Sequence, residues 1–131
     1  MNTIIKDMRD IYRLRGYDFM GYTYRNINDL SFHHIVKECD GGKREISNGA
    51  ALCRESSHPY LHLIEIREYG IYNAINSILQ EIADQNSHPT RDQLIRIRRL
   101  LLEYEAYHID DRNSKGKRLV KKQFIEGRID L

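Results

Sequence analysis

Ile71, Ile75, Ile78 and Ile82 follow one another at steps of four, three and four residues. A helical period puts all four on one face, whereas a strand would send Ile71 and Ile78 to opposite sides. Asn86-Ser87-His88-Pro89 ends the pattern, and Thr90-Arg91-Asp92-Gln93 matches a capping box that opens another helix. Leu94, Ile97, Leu101 and Tyr104 give that second helix an apolar face of its own. Helical character begins at Pro59, a residue suited to the first turn of a helix. Residues 59–108 therefore read as an antiparallel helical hairpin, two helices joined by a short turn.

The chain before Pro59 is patterned differently. Ile4, Ile5, Met8, Ile11, Tyr12 and Arg15 recur at helical spacing over residues 1–15, and Gly16 marks a stop. Residues 17–30 are rich in Tyr and Asn and read as irregular strand and turn. Leu-Ser-Phe-His-His-Ile-Val at 30–36 reads as a strand, the Gly41-Gly42 pair as a loop, and Gly-Ala-Ala-Leu-Cys at 49–53 as a second strand. The expected class is α+β. At 131 residues the chain is too short for two independent cores, so a single domain is expected over residues 1–110. A basic C-terminal tail follows at 111–131, carrying Lys115, Lys117, Arg118, Lys121 and Lys122, with Phe124 and Ile125 available to dock it. Such a charge run is most often simply solvated.

Charged residues make up 31% of the chain, yet the signs nearly cancel at +2. A histone-like or tail-type DNA binder is thereby excluded, while a compact site meeting one phosphate is not. No apolar run approaches the length of a membrane span. The first residues break into charge at once, so no signal peptide is expected. Cys39 and Cys53 are the only cysteines, too few for a disulfide framework or a four-cysteine zinc site. The expected setting is reducing and cytoplasmic.

Four of the six histidines lie at 33, 34, 58 and 62. Adjacent residues on a strand leave on opposite faces, so His33 and His34 are expected to differ in role. His58 and His62, four apart at a helix start, share one face and suit a divalent ion. A third ligand from the neighbouring strand would complete a three-histidine site with open positions, the catalytic pattern. Taken singly, each feature has a plainer reading: a hydrogen-bonded core histidine, or an incidental pair on a helix surface.

The order His33-His34, Gly41-Gly42, Asn48, Leu52-Cys53, His58…His62 resembles the HNH nuclease family and its ββα-metal motif. Intervals of 14 residues from His34 to Asn48 and 10 from Asn48 to His58 suit two strands, a loop and a helix. The His-His start and the His-x-x-x-His end are similar to the nuclease domains of colicins. Ser56-Ser57-His58-Pro59-Tyr60-Leu61-His62 also looks like a stretch in small HNH-like proteins of phages and mobile elements. The likeness covers about residues 30–65, a quarter of the chain.

The resemblance implies a ββα-metal core packed against an N-terminal helix and a C-terminal helical hairpin. It implies that His34 is the general base, that His33, His58 and His62 hold one divalent ion, and that Asn48 pins the loop and orients the base. A neutral imidazole can take a proton from water at pH 7, and one ion can stabilise the charge of the pentavalent phosphate. The implied activity is metal-dependent hydrolysis of DNA phosphodiesters. Mg²⁺, Mn²⁺, Ni²⁺ and Zn²⁺ all remain open as the ion; three histidines suit zinc or nickel, whereas magnesium prefers oxygen ligands.

The sequence also departs from the family. Many relatives carry two Cys-x-x-Cys pairs that bind a structural zinc. Cys53 stands at one such position, but no partner cysteine follows it, so packing by Tyr17, Phe19, Tyr22 and Phe32 is expected instead. No arginine is assigned to the scissile phosphate; Arg44 and Arg54 are near in sequence. The N-terminal tyrosines, interleaved with Arg13, Arg15 and Arg25, could stack on bases, but core and rim packing is favoured. Two other readings stand beside the nuclease. One is a nuclease-like fold serving as a protein-binding module, such as a phage or mobile-element inhibitor of a host defence. The other is a structural zinc protein using the same histidines.

Overall fold

A two-stranded antiparallel hairpin and four helices make up the α+β fold that the computed structural model describes for residues 3–108 and 127–131. Helix α1 (Thr3–Tyr12) buries Ile5, Met8 and Tyr12, the apolar stripe legible in its spacing. Strand β1 (Leu30–His34) pairs with β2 (Gly49–Cys53), with Leu30 opposite Cys53, His33 opposite Ala50 and His34 opposite Gly49. Every residue of β2 is buried, so it is packed on both faces. Gly49 has no alternative: a Cβ there would lie 2.3 Å from the Phe32 ring.

Past β2 the expected single helix is two. Helix α2 (Ser57–Arg67) ends and α3 (Tyr69–Gln85) begins at Glu68. The Glu68 N–H closes α2 on the Ile64 carbonyl, while its own carbonyl accepts from Ile71 and Tyr72 at the start of α3. The two-helix hairpin is thereby corrected to three helices. The break has a packing reason. It lets α2 lie on β2, while α3 packs against α2, β2 and helix α4 (Arg91–Tyr107). Ile71, Ile75, Ile78 and Ile82 are all buried, as their period requires. At the start of α4 the capping box is present. Thr90 Oγ1 accepts from Gln93 N at 3.2 Å, and Gln93 Oε1 accepts from Thr90 N at 2.9 Å.

Residues 17–23 fold back on themselves through a bridge between Tyr17 and Thr23. Inside this turn lies Asp18, fully buried. Its carboxylate accepts from the backbone of Met20 (2.8 Å), Tyr22 (2.9 Å) and Cys53 (2.8 Å), and from the Ser57 hydroxyl. Ser57 thus ties the start of α2 to the N-terminal turn. Phe19, Tyr22 and Phe32 are buried, and Tyr17 is half-buried.

The chain end returns to this turn. Thr23 N donates to Gly127 O at 2.7 Å, and Ile129 N donates to Gly21 O at 2.9 Å. Arg128 pairs with Glu105 at 3.1 Å. The last five residues, read from sequence as tail, therefore belong to the folded body. The basic cluster at 115–122 and the pair Phe124 and Ile125 lie outside the described residues. Among the described residues no helix is long and apolar enough to cross a membrane.

Candidate metal centre

His33 projects from β1 onto the face that meets α2, and only 1% of it is exposed. His58 and His62 occupy successive turns of α2. The three side chains converge, each offering one ligand nitrogen, and these nitrogens lie within 4.8 Å of one another. Ring centroids are 5.4 Å apart for His33 and His58, 5.6 Å for His33 and His62, and 4.9 Å for His58 and His62.

Each ring is held from behind by an oxygen. His33 Nε2–H donates to Asn76 Oδ1 at 2.9 Å. His58 Nδ1 shares a hydrogen bond with Ser31 Oγ at 2.6 Å, and Ser31 Oγ also lies 3.3 Å from the Leu52 carbonyl oxygen. His62 Nδ1–H donates to Glu65 Oε1 at 3.1 Å. An oxygen partner on one ring nitrogen fixes the tautomer and leaves the other nitrogen its lone pair. Burial keeps two of the rings neutral. It pushes His33 down to about 4, and it pushes His58 down to about 4 with help from the neighbouring histidines. A metal-ligating imidazole must be neutral, so His33 and His58 are ready at pH 7.

The Glu65 carboxylate also pairs with the Lys37 ammonium, which lies 5.9 Å from the Tyr72 ring centroid. Although burial acts to raise its pKa, the hydrogen bonds from Lys37 and His62 hold Glu65 below the usual carboxylate range. His62 is thereby backed by an anion, which strengthens a ring nitrogen as a donor to a cation.

His34 leaves β1 on the other face and meets the Phe32 ring edge-on at 4.8 Å. It is the last residue of the strand and lies opposite Gly49, so no cross-strand side chain covers it. There it lines the same cleft as His33, His58 and His62, a space of about 430 Å³ that Lys37, Glu65 and Tyr72 also border. Asn48 is buried beneath the loop. Its Oδ1 accepts from Val36 N at 2.8 Å, and its Nδ2 donates to the carbonyls of Val36 and Lys43 at 3.0 Å each. It staples the loop to β2, and any hold it has on His34 runs through the backbone. Arg44 packs over the Phe32 ring at 4.9 Å. Arg54 lines a different cavity, with Arg25, Asp29 and Ser56.

The structure thus brings together all four histidines singled out from sequence, with Asn48 one layer below. Ser31, Glu65, Asn76 and Lys37 escaped that reading. Glu65 carried a signal, since 58, 62 and 65 fall on one helical face. Asn76 carried a fainter one, a polar residue between Ile75 and Ile78 on an apolar helix. Three nitrogen donors with open space beside them fit a borderline-soft divalent ion. No protein-family model, curated protein or solved structure matches this chain.

Proposed function

We propose that the protein is a metal-dependent endonuclease that hydrolyses DNA phosphodiester bonds on a ββα-metal core. The reading rests on one observation above the others. His33 from β1 and His58 and His62 from α2 aim ligand nitrogens at one volume, and His34 borders the same cleft. The order β1, β2, α2 is that of the motif the sequence resembles.

His33, His58 and His62 would hold one divalent ion, which supplies Lewis-acid charge for a phosphate oxygen and the leaving group. His34, a half-buried imidazole at the cleft, takes the proton from the attacking water. Asn48 keeps the strand end and the loop in place, so the His34 backbone does not drift. Lys37 brings positive charge to the cleft wall, where an anionic substrate would arrive. Both cysteines are free thiols, consistent with work in a reducing cytoplasm.

Nicking of supercoiled plasmid tests the proposal, with Mg²⁺, Mn²⁺, Ni²⁺ or Zn²⁺ added in turn and EDTA as control. Cutting is expected to require metal and to fall about 10²–10⁴-fold in His34→Ala, the range for loss of a general base. Absence of cutting by folded protein that binds the ion would overturn the nuclease and leave a protein-binding module as the next reading.

A further inference from the structure

The three rings are not presented alike. His58 and His62 both engage a protein oxygen through Nδ1, on Ser31 and Glu65, and so leave Nε2 for the cleft. His33 donates from Nε2, to Asn76, and so has its lone pair on Nδ1. Asn76 determines this. Its Nδ2 donates to the Ile35 carbonyl at 2.7 Å, and a carbonyl can only accept. The amide therefore has one orientation, with Oδ1 turned to the ring, and the nitrogen facing an oxygen acceptor must carry the proton. Asn76 lies on α3, outside the β1-β2-α2 unit that supplies the three histidines. It interrupts the apolar face that buries Ile75 and Ile78, a position where an apolar residue would pack without needing partners.

We propose that Asn76 is a positioning residue of the metal centre: it holds His33 in the Nε2–H tautomer, so that the ion is taken by Nδ1 of His33 and by Nε2 of His58 and His62. The proposal rests on the metal-binding part of the reading above and not on DNA cleavage. It also gives α3 a part in the site. The helix supplies the outer partner of the one ligand that comes from the sheet. Removing an outer partner of a metal-binding histidine weakens metal binding about 10–100-fold.

Two variants separate this role from simple support of the Ile35 carbonyl. Asn76→Ala removes both hydrogen bonds. Asn76→Asp retains an acceptor for His33 Nε2–H and loses the donor to Ile35. Zn²⁺ affinity is measured by calorimetric titration of the full chain. The proton on each imidazole is located by long-range ¹H–¹⁵N correlation spectra of metal-free protein labelled at histidine. In the wild type His33 is expected to be protonated at Nε2. Asn76→Ala is expected to mix the tautomers of His33 and lower Zn²⁺ affinity about 10–100-fold, while Asn76→Asp stays close to wild type. If Asn76→Asp weakens Zn²⁺ as much as Asn76→Ala, or if wild-type His33 carries its proton on Nδ1, the proposal fails. The spectra of the wild type decide the tautomer even where Asn76→Ala does not fold. Zn²⁺ binding with this pattern but without DNA cutting leaves the assignment standing and removes only the nuclease. Folded wild type that takes up no Zn²⁺ removes the metal centre and this assignment together.

Discussion

Gly42 shows how far a single residue constrains the cleft. A Cβ at this position would sit 1.8 Å from the Val36 carbonyl oxygen and 2.8 Å from Asn48 Nδ2. Both neighbours belong to the staple that Asn48 makes, so neither can yield without losing a hydrogen bond. Gly42→Ala is therefore expected to destabilise the fold by about 2–4 kcal/mol, the range for a steric clash in a packed site combined with a broken buried hydrogen bond. Urea melts of the metal-free protein read this directly. A loss under about 0.5 kcal/mol, the size of an ordinary surface substitution, would show that the loop is looser than its contacts imply. The histidines follow the same logic. Each has one nitrogen turned to protein oxygen and one left for a ligand, and side-chain chemistry alone does not say which.

At the scale of elements, Asp18 joins three segments: the N-terminal turn, the end of β2 and the start of α2. Burial raises its pKa above the ordinary value, outweighing the hydrogen bonds from Ser57, Tyr22, Cys53 and Met20 that act to lower it. The folded chain thus retains the Asp18 proton to higher pH than the unfolded chain does. Stability linked to that proton is fully present below the unfolded pKa of about 3.9 and is lost as pH rises through the folded value. Asp18→Asn has no such proton, and it sets amide N–H groups against donors. The wild type is expected to be the more stable protein, by a margin that is widest near about pH 4 and shrinks toward neutrality. Denaturant midpoints of the two proteins at several pH values measure this margin. A margin that grows with pH would mean that Asp18 is held ionised in the fold.

The whole molecule is closed by its last residues. Arg128 and Glu105 face each other with side chains only 9% and 12% exposed. Arg98 also reaches the Ile129 carbonyl at 3.0 Å. Removing Arg128 takes a counter-charge away from a largely buried carboxylate that also accepts from the Tyr60 hydroxyl at 3.3 Å. Arg128→Ala is expected to lower stability by about 3 kcal/mol and to move the thermal midpoint down by several degrees. Calorimetry of the full-length variant is the check. An unchanged midpoint would show that the chain end merely rests on the domain.

Much of this protein can be read in one dimension because its governing interactions are local. A helical period is a property of neighbours a few residues apart, so the Ile71 to Ile82 stripe and the Thr90 capping box were visible as such. The same holds for the pairing of His58 with His62 on one helical face. The placing of His33 beside them required only that β1 and β2 form a hairpin under α2. What the sequence alone could not decide depended on segments far apart in the chain. The break at Glu68 follows from two helices finding different packing partners, and no proline or cap marks it. Asn76 stands 43 residues from His33, yet the hydrogen bond between them selects the nitrogen that His33 can offer. Asp18 gathers donors from Cys53 and Ser57, and Arg128 returns to Glu105, because a buried polar group must find its partners wherever the fold places them. Local periodicity determined the elements and which histidines share a face; long-range burial determined how those histidines are held.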